Sequence, residues 1–165
     1  METKVILGID PDNKESGVAL LGVPSKDFKV MKMKFAELID YLWDAKGIFR
    51  NLEVIIEGGW LNRSNWHIMA RHMSPRMAAA VGRSTGMNHQ TGILISEYCE
   101  HLGLDYKVVK PLKKCWKGTD GKITQEEMKS FIPNLPRMNQ DQRDALLIAW
   151  VYAGLPINVK MERKK

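Results

Sequence analysis

Lys4 to Val23 reads KVILGIDPDNKESGVALLGV, and the order of residue types along it decides the fold class. Lys4 to Ile9 is a short apolar run, and Asp10-Pro11-Asp12-Asn13 is turn chemistry, so a buried strand ends close to Asp10. Gly17 to Val23 reads as a second strand. After a turn at Pro24-Ser25, Phe28 to Phe35 (FKVMKMKF) alternates apolar and basic residues, which predicts a third strand with one exposed face. Together the three suggest an antiparallel meander.

Working outward, Ala36 to Lys46 switches to helical spacing, with Leu38, Ile39, Leu42 and Trp43 on one side. Leu52 to Ile56 returns to a buried strand that stops at Glu57-Gly58-Gly59. A helix between strands implies a crossover into parallel pairing. Helices are predicted over Asn65 to Ala80, Thr91 to His101, Ile123 to Phe131 and Asp141 to Ala153, with a fifth strand over Tyr106 to Val109. That order predicts an α/β fold, a mixed sheet covered by helices.

The 165 residues suit one domain, over residues 1–159, followed by a basic tail at 160–165 (KMERKK). Lys and Arg outnumber Asp and Glu by 25 to 19, which favours an anionic partner, nucleic acid ahead of membrane. No apolar run approaches the ~18 residues of a membrane span, and METKVILGID lacks the pattern of a signal peptide, so the expected location is cytoplasmic. Cys99 and Cys115 are too few for a disulfide framework and have no zinc-site spacing. His67 and His72, five apart, would not share a helix face as a zinc pair.

Four acids stand at element ends. Asp10 and Glu57 close buried strands, while Asp141 and Asp144, three apart at a helix start, share one face. Carboxylates brought together repel and raise one another's pKa, so such a set is normally neutralised by divalent cations. Two Mg²⁺ ions ~4 Å apart can activate water and stabilise the leaving oxygen of a phosphodiester. Taken singly, each acid also has a structural explanation. Asp10 suits a turn before Pro11, Glu57 a solvated strand end, and Asp141 the first turn of a helix capped by Asn139.

Ile6-Leu7-Gly8-Ile9-Asp10-Pro11, followed by Ser16-Gly17-Val18-Ala19-Leu20, resembles the first-strand acid and hairpin of RuvC-type Holliday-junction resolvases and their RNase H-like relatives. Val54-Ile55-Ile56-Glu57 resembles their second acid, and Asp141-Gln142-Arg143-Asp144-Ala145-Leu146 their closing helix. Between these motifs, residues 80–86 (AVGRSTG) resemble a Gly-rich approach to the second helix, and residues 106–111 (YKVVKP) the fifth strand. The resemblance spans roughly residues 4–153, and only its acid motifs are specific. It implies an RNase H-like fold, a five-stranded mixed sheet of order 3-2-1-4-5 with helices on both faces. It also implies two Mg²⁺ ions, with Mn²⁺ as a substitute, and a homodimer that cuts four-way DNA without a small-molecule cofactor. Lys110 and Lys122 match the family's functional lysines best. Two departures suggest a divergent, phage-type member: Asp12 stands where the family usually has Gly, and Gly58-Gly59-Trp60 follows the second acid.

From Gly58 to Ser96 there is no Asp or Glu, while Arg63, Arg71, Arg76 and Arg83 fall there, a pattern that suits either a phosphate-binding face or solvated helix surface. Trp60 and Trp66 could stack on or wedge between unpaired bases, and core packing would equally suit Trp66. Lys113, Lys114 and Lys117 continue a basic run with Trp116 among them, readable as a phosphate contact or a solvated loop. The expected activity is metal-dependent endonucleolytic hydrolysis of DNA at Holliday junctions or other branched structures. The alternatives are an RNase H-like nuclease of the ribosomal-RNA-processing kind and an inert nucleic-acid-binding module.

Overall fold

Val5, Leu7 and Ile9 of the first strand, β1 (Lys4–Asp10), point to one side of a sheet and Ile6 to the other, because side chains alternate along a strand. In the computed structural model, which describes residues 3–62 and 73–157, this parity separates two apolar layers. The remaining strands are β2 (Ser16–Val23), β3 (Phe28–Met33), β4 (Leu52–Glu57) and β5 (Asp105–Val109). The α-helices are α1 (Phe35–Ile48), α2 (Pro75–His101), α3 (Gln125–Lys129) and α4 (Gln140–Tyr152). The sheet runs β3-β2-β1-β4-β5, with β1 antiparallel to β2 and parallel to β4. This is the order that the likeness to RNase H-like nucleases implied.

Val5, Leu7, Ile9, Val54 and Ile56 pack with Leu38, Leu42 and Ala45 of α1 and with Ile95 and Cys99 of α2. On the opposite face, Ile6, Ala19, Leu21 and Ile55 pack with Met128 of α3 and with the run Ala145 to Trp150 of α4. Helices therefore cover both faces. Trp150, buried, donates its indole N–H to the Pro156 carbonyl at 3.0 Å, so its one polar atom is satisfied.

Two glycines set how closely α4 lies on the sheet. A Cβ on Gly8 would fall 2.4 Å from the Ala145 carbonyl oxygen, and one on Gly17 would fall 2.2 Å from the Asp141 carbonyl oxygen. The helix presents Asp141, Ala145 and Ala149 at intervals of four, one face of an α-helix, and small side chains there complete the close approach. Backbone meets backbone.

Several predicted elements differ. The helices expected at Asn65 to Ala80 and Thr91 to His101 are one helix of 27 residues from Pro75 onward, and residues 65–72 of the expected span lie outside the described residues. Pro75 suits a first helical position, and the Ser74 hydroxyl accepts the Met77 N–H at 3.2 Å as N-cap. Gly82 and Gly86 do not break the helix: each costs about 1 kcal/mol against alanine, less than a break within a cooperative helix. The stop is Gly103, whose φ of 64° lets its N–H bond the Glu100 carbonyl. Trp43, expected on the buried side of the first helix, is 67% exposed, because Leu38, Leu42 and Ala45 turn to the sheet instead. The tail at 160–165 lies outside the described residues. Among the described residues, no helix is long and apolar enough to cross a membrane.

Candidate nuclease site

Parity on the sheet and the seat of α4 together place the four acids. Asp10 shares its face of β1 with Ile6 and Gly8, and Glu57 shares its face of β4 with Ile55, the face that α4 covers. Ile9 is in register with Ile56, so Asp10 and Glu57 follow side by side at the ends of two adjacent parallel strands. Asn139 caps α4, its side-chain oxygen accepting the Gln142 N–H at 3.0 Å, and this fixes where Asp141 and Asp144 project. Since Gly17 faces Asp10 across the β1–β2 pair and lies under Asp141, the helix acids come down next to the strand acids.

Electrostatics records that proximity. Burial holds the Asp10 carboxyl well above its ordinary range, and the charges of Glu57, Asp144 and Asp141 push it further, with Lys122 opposing. Glu57 is also raised, first by burial and then by Asp144, with Lys122 and Lys114 working the other way. Asp144 has both oxygens engaged: Oδ2 accepts from Lys122 Nζ at 2.8 Å, and Oδ1 accepts from Gln140 Nε2 at 2.7 Å. Burial disfavours the charged form of Lys122, but the bond to Asp144 and the nearby acids outweigh it and hold the ammonium above its ordinary value. Asp141 lies 3.1 Å from Lys32 Nζ on β3, which reaches it from the outer strand.

The donors are all hard carboxylate oxygens drawn from three elements, with Asp10 and Glu57 desolvated, which is the chemistry that suits Mg²⁺ or Mn²⁺. Among the described residues, no three His, Cys, Asp or Glu side chains stand close enough to form a ready-made cage. Positive charge reaches the group from Lys122 on Asp144 and from Lys32 on Asp141. Asp10, Glu57 and Asp144 thus fit a divalent ion in donor type and electrostatic demand, and Asp141 adjoins them.

The other residues singled out in the sequence fall in different places. Lys113 and Lys114 line a cleft beside the site together with Glu57, Lys122 and Asp144. Lys110 is exposed and is not part of that lining, and Lys117 is exposed with its backbone N–H bound to Glu127. Arg76 and Arg83 are exposed on α2, whereas Arg63, Arg71, Trp66, His67 and His72 lie outside the described residues. Trp60 is half-buried, meets His89 edge-on at 6.3 Å, and lies against Gly92, where a Cβ would fall 2.5 Å from its ring. Part of the Trp60 surface is therefore already used inside the molecule.

Asp12 and His89 acquire structural roles. The Asp12 carboxylate accepts the Lys14 N–H at 2.8 Å and the Asn88 amide at 3.2 Å, closing the turn after Asp10. Asn88 in turn accepts the Asn13 N–H at 2.9 Å, so α2 is tied to the β1–β2 loop at two points. A Cβ on Gly59 would fall 2.7 Å from His89 Nε2, which places His89 against the turn after Glu57.

Three contributors were not singled out from the sequence: Lys32, Gln140 and Arg143. Arg143 donates to the carbonyls of Met138 and Ile123 and to the Gln140 side chain, at 2.6, 3.2 and 2.7 Å. It thereby orients the amide that orients Asp144. The basic alternation of β3 was a signal for Lys32; for the other two, position in the first turn of the acid-bearing helix was the signal.

No protein-family model matches the chain, and no curated protein matches it. Among solved structures it is similar to T. thermophilus RuvC in complex with Holliday junction substrate, at 16% sequence identity and a TM-score of 0.49, over 91% of this chain and 92% of that one.

Proposed function

We propose that this chain is a divalent-metal-dependent endonuclease that hydrolyses DNA at four-way junctions or related branched structures. The observation that carries the reading is the convergence of Asp10, Glu57 and Asp144 at one end of a 3-2-1-4-5 sheet, where the charges of Glu57 and Asp144 act on Asp10 and that of Asp144 acts on Glu57. Carboxylates desolvated like those of Asp10 and Glu57 cost stability, and hard-metal phosphodiester chemistry is a use that needs them.

In this reading Asp10, Glu57 and Asp144 hold the metal, with Asp141 completing the shell or positioning water. When bound, the ions supply the charge that activates water and stabilises the departing oxygen. Gln140 and Arg143 keep Asp144 aimed, and Lys32 holds Asp141. Lys122, already among the acids, offers positive charge to the phosphate as negative charge grows on it. Lys122 suits this role better than exposed Lys110, which does not line the cleft. Lys113, Lys114, Arg76 and Arg83 contribute to holding the backbone, and homodimer formation would let two sites address two strands of one junction.

The test is cleavage of a panel of four-way DNA, flap, linear duplex, RNA duplex and RNA–DNA hybrid with Mg²⁺ or Mn²⁺ and with chelator. Junction cleavage that needs the metal is expected. Asp10→Asn and Glu57→Gln should each lower the rate by at least about a thousandfold while leaving junction binding near that of the unaltered protein, since each removes a ligand and not a DNA contact. Cleavage at the normal rate by either variant sinks the assignment, and preferential cleavage of RNA duplex or hybrid moves it to the RNA-directed alternative.

A further inference from the structure

Beside the acids lies a cleft of about 140 Å³ whose lining is of two kinds. Glu57, Lys122 and Asp144 belong to the charged site, whereas Leu112, Trp116 and Ile148 belong to the apolar layer under α4. Pockets for drug-sized molecules run to ~300–1,000 Å³, so this one admits a single ring system and no larger ligand. Lys113 and Lys114, also on the lining, make it suited to a ring carried on an anionic chain.

The wall that carries Trp116 is rigidly built. Trp116 N–H donates to the Gly121 carbonyl at 3.1 Å and Gly118 N–H to the Lys122 carbonyl at 3.0 Å, so the loop closes on itself. Gly121, at a φ of 71°, sits where a Cβ would fall 3.0 Å from the Lys114 carbonyl, so the turn needs glycine for both conformation and room. The buried Glu127 carboxylate accepts the N–H groups of Lys117 and Thr124, each at 3.0 Å, and pins the loop to α3. Trp116 stacks on Phe131 at 6.4 Å and 30°, which fixes its ring while it lines the cleft. The same loop carries Lys122 to Asp144, so the aromatic wall and Lys122 belong to one hydrogen-bonded loop.

We infer that this cleft receives one unpaired nucleobase next to the phosphate being cut, stacked on or against Trp116 while Lys113 and Lys114 hold its backbone. The inference rests on the nuclease reading and narrows its substrate. A base stacked within a duplex cannot enter a pocket of this size, so it must be extruded, and extrusion costs least where pairing is already broken. Selection of branched over linear DNA would then arise at each site by itself, from the availability of a loose nucleotide beside the scissile bond.

The experiment uses the unaltered protein and four-way junctions. The cleaved bond is mapped first, and then an abasic residue is placed at either nucleotide flanking it or at a control position three nucleotides away. An abasic residue at one flanking position should lower kcat/KM about ten- to hundredfold relative to the control, the range for loss of one base–aromatic stack. Trp116→Ala should show the same loss on the intact junction and little further loss on the abasic one, and Trp116→Phe should retain most activity. The abasic arm holds whether or not Trp116→Ala folds. If junctions are cut and abasic residues beside the bond act no differently from the control, the nuclease reading stands and the base pocket is overturned. If the abasic and Trp116→Ala losses multiply as independent effects, the pocket is likewise overturned. If no nucleic acid in the panel is cut, both readings fall together.

Discussion

Gly17→Ala tests whether main-chain contact is what positions the helix acids. The added methyl would lie 2.2 Å from the Asp141 carbonyl oxygen and 2.6 Å from its carbon, and both are backbone atoms in the first turn of α4. To reach the ~3.3 Å of a close C···O contact, the helix start must lift by about 1 Å. Overpacking of that kind costs about 1–3 kcal/mol, or a fall in Tm of about 2–12 °C for a chain of this size. Asp10 and Glu57 stay with the sheet while Asp141 and Asp144 move with the helix, and a 1 Å misplacement of reacting groups can cost ~100-fold in rate. The comparison variant is Gly82→Ala, on an exposed turn of α2 where no described atom lies within 4 Å of the new methyl. There the substitution should stabilise by about 0.5–1 kcal/mol, because alanine suits a helix interior better than glycine. Thermal melts of both variants, with cleavage of a four-way junction in Mg²⁺, give the readout. A Tm for Gly17→Ala at or above that of the unaltered protein refutes the contact argument. Full cleavage activity despite a lowered Tm refutes the link between helix seat and acids.

Two further outcomes are expected. Asp10 and Glu57 are held above their ordinary range, so the folded state binds their protons more tightly than the unfolded chain. Their contribution is therefore neutral below the unfolded value near ~4 and increasingly destabilising as pH rises from there through the raised folded values. In chelator, Asp10→Asn should melt higher than the unaltered protein at pH 7, with the difference shrinking toward pH 4; a difference that does not change with pH would contradict the raised Asp10. Glu127→Ala removes a buried carboxylate that satisfies the N–H groups of Lys117 and Thr124, and should cost about 2–3 kcal/mol in urea denaturation, with a loss below ~1 kcal/mol counting against its loop-pinning role.

What could be read in advance was what local pattern encodes. The apolar runs ending in Asp10 and Glu57 carry their own boundary signals, whereas the shared face of the two acids follows from the β1–β4 register in the structure. The strand order itself came from the family likeness, since periodicity does not say which strands are neighbours. The two predicted helices are one because a helix interior tolerates Gly82 and Gly86 when the residues around them favour helix. Trp43 was misplaced because hydrophobicity alone does not say which arc of a helix meets the sheet. The partners of the acids, Lys32, Gln140 and Arg143, became visible only with tertiary distances. Gly8 and Gly17 were a missed signal, since glycine within an apolar strand often marks the close approach of another backbone.

The tie between Asn88 and the β1–β2 loop has a structural consequence. Among the described residues, the buried positions of α2 are Gly92, Ile95 and Cys99, all beyond Asn88, and the stretch from Pro75 to Asn88 measures about 20 Å at 1.5 Å per residue. Arg76 and Arg83 lie on that stretch, and at its end Asn88 holds Asp12 and Asn13, which directly follow Asp10 and Pro11. Arg76, in the first turn of the helix, and Arg83 are thus joined to the turn beside Asp10 through a single helix, with Asn88 as the link.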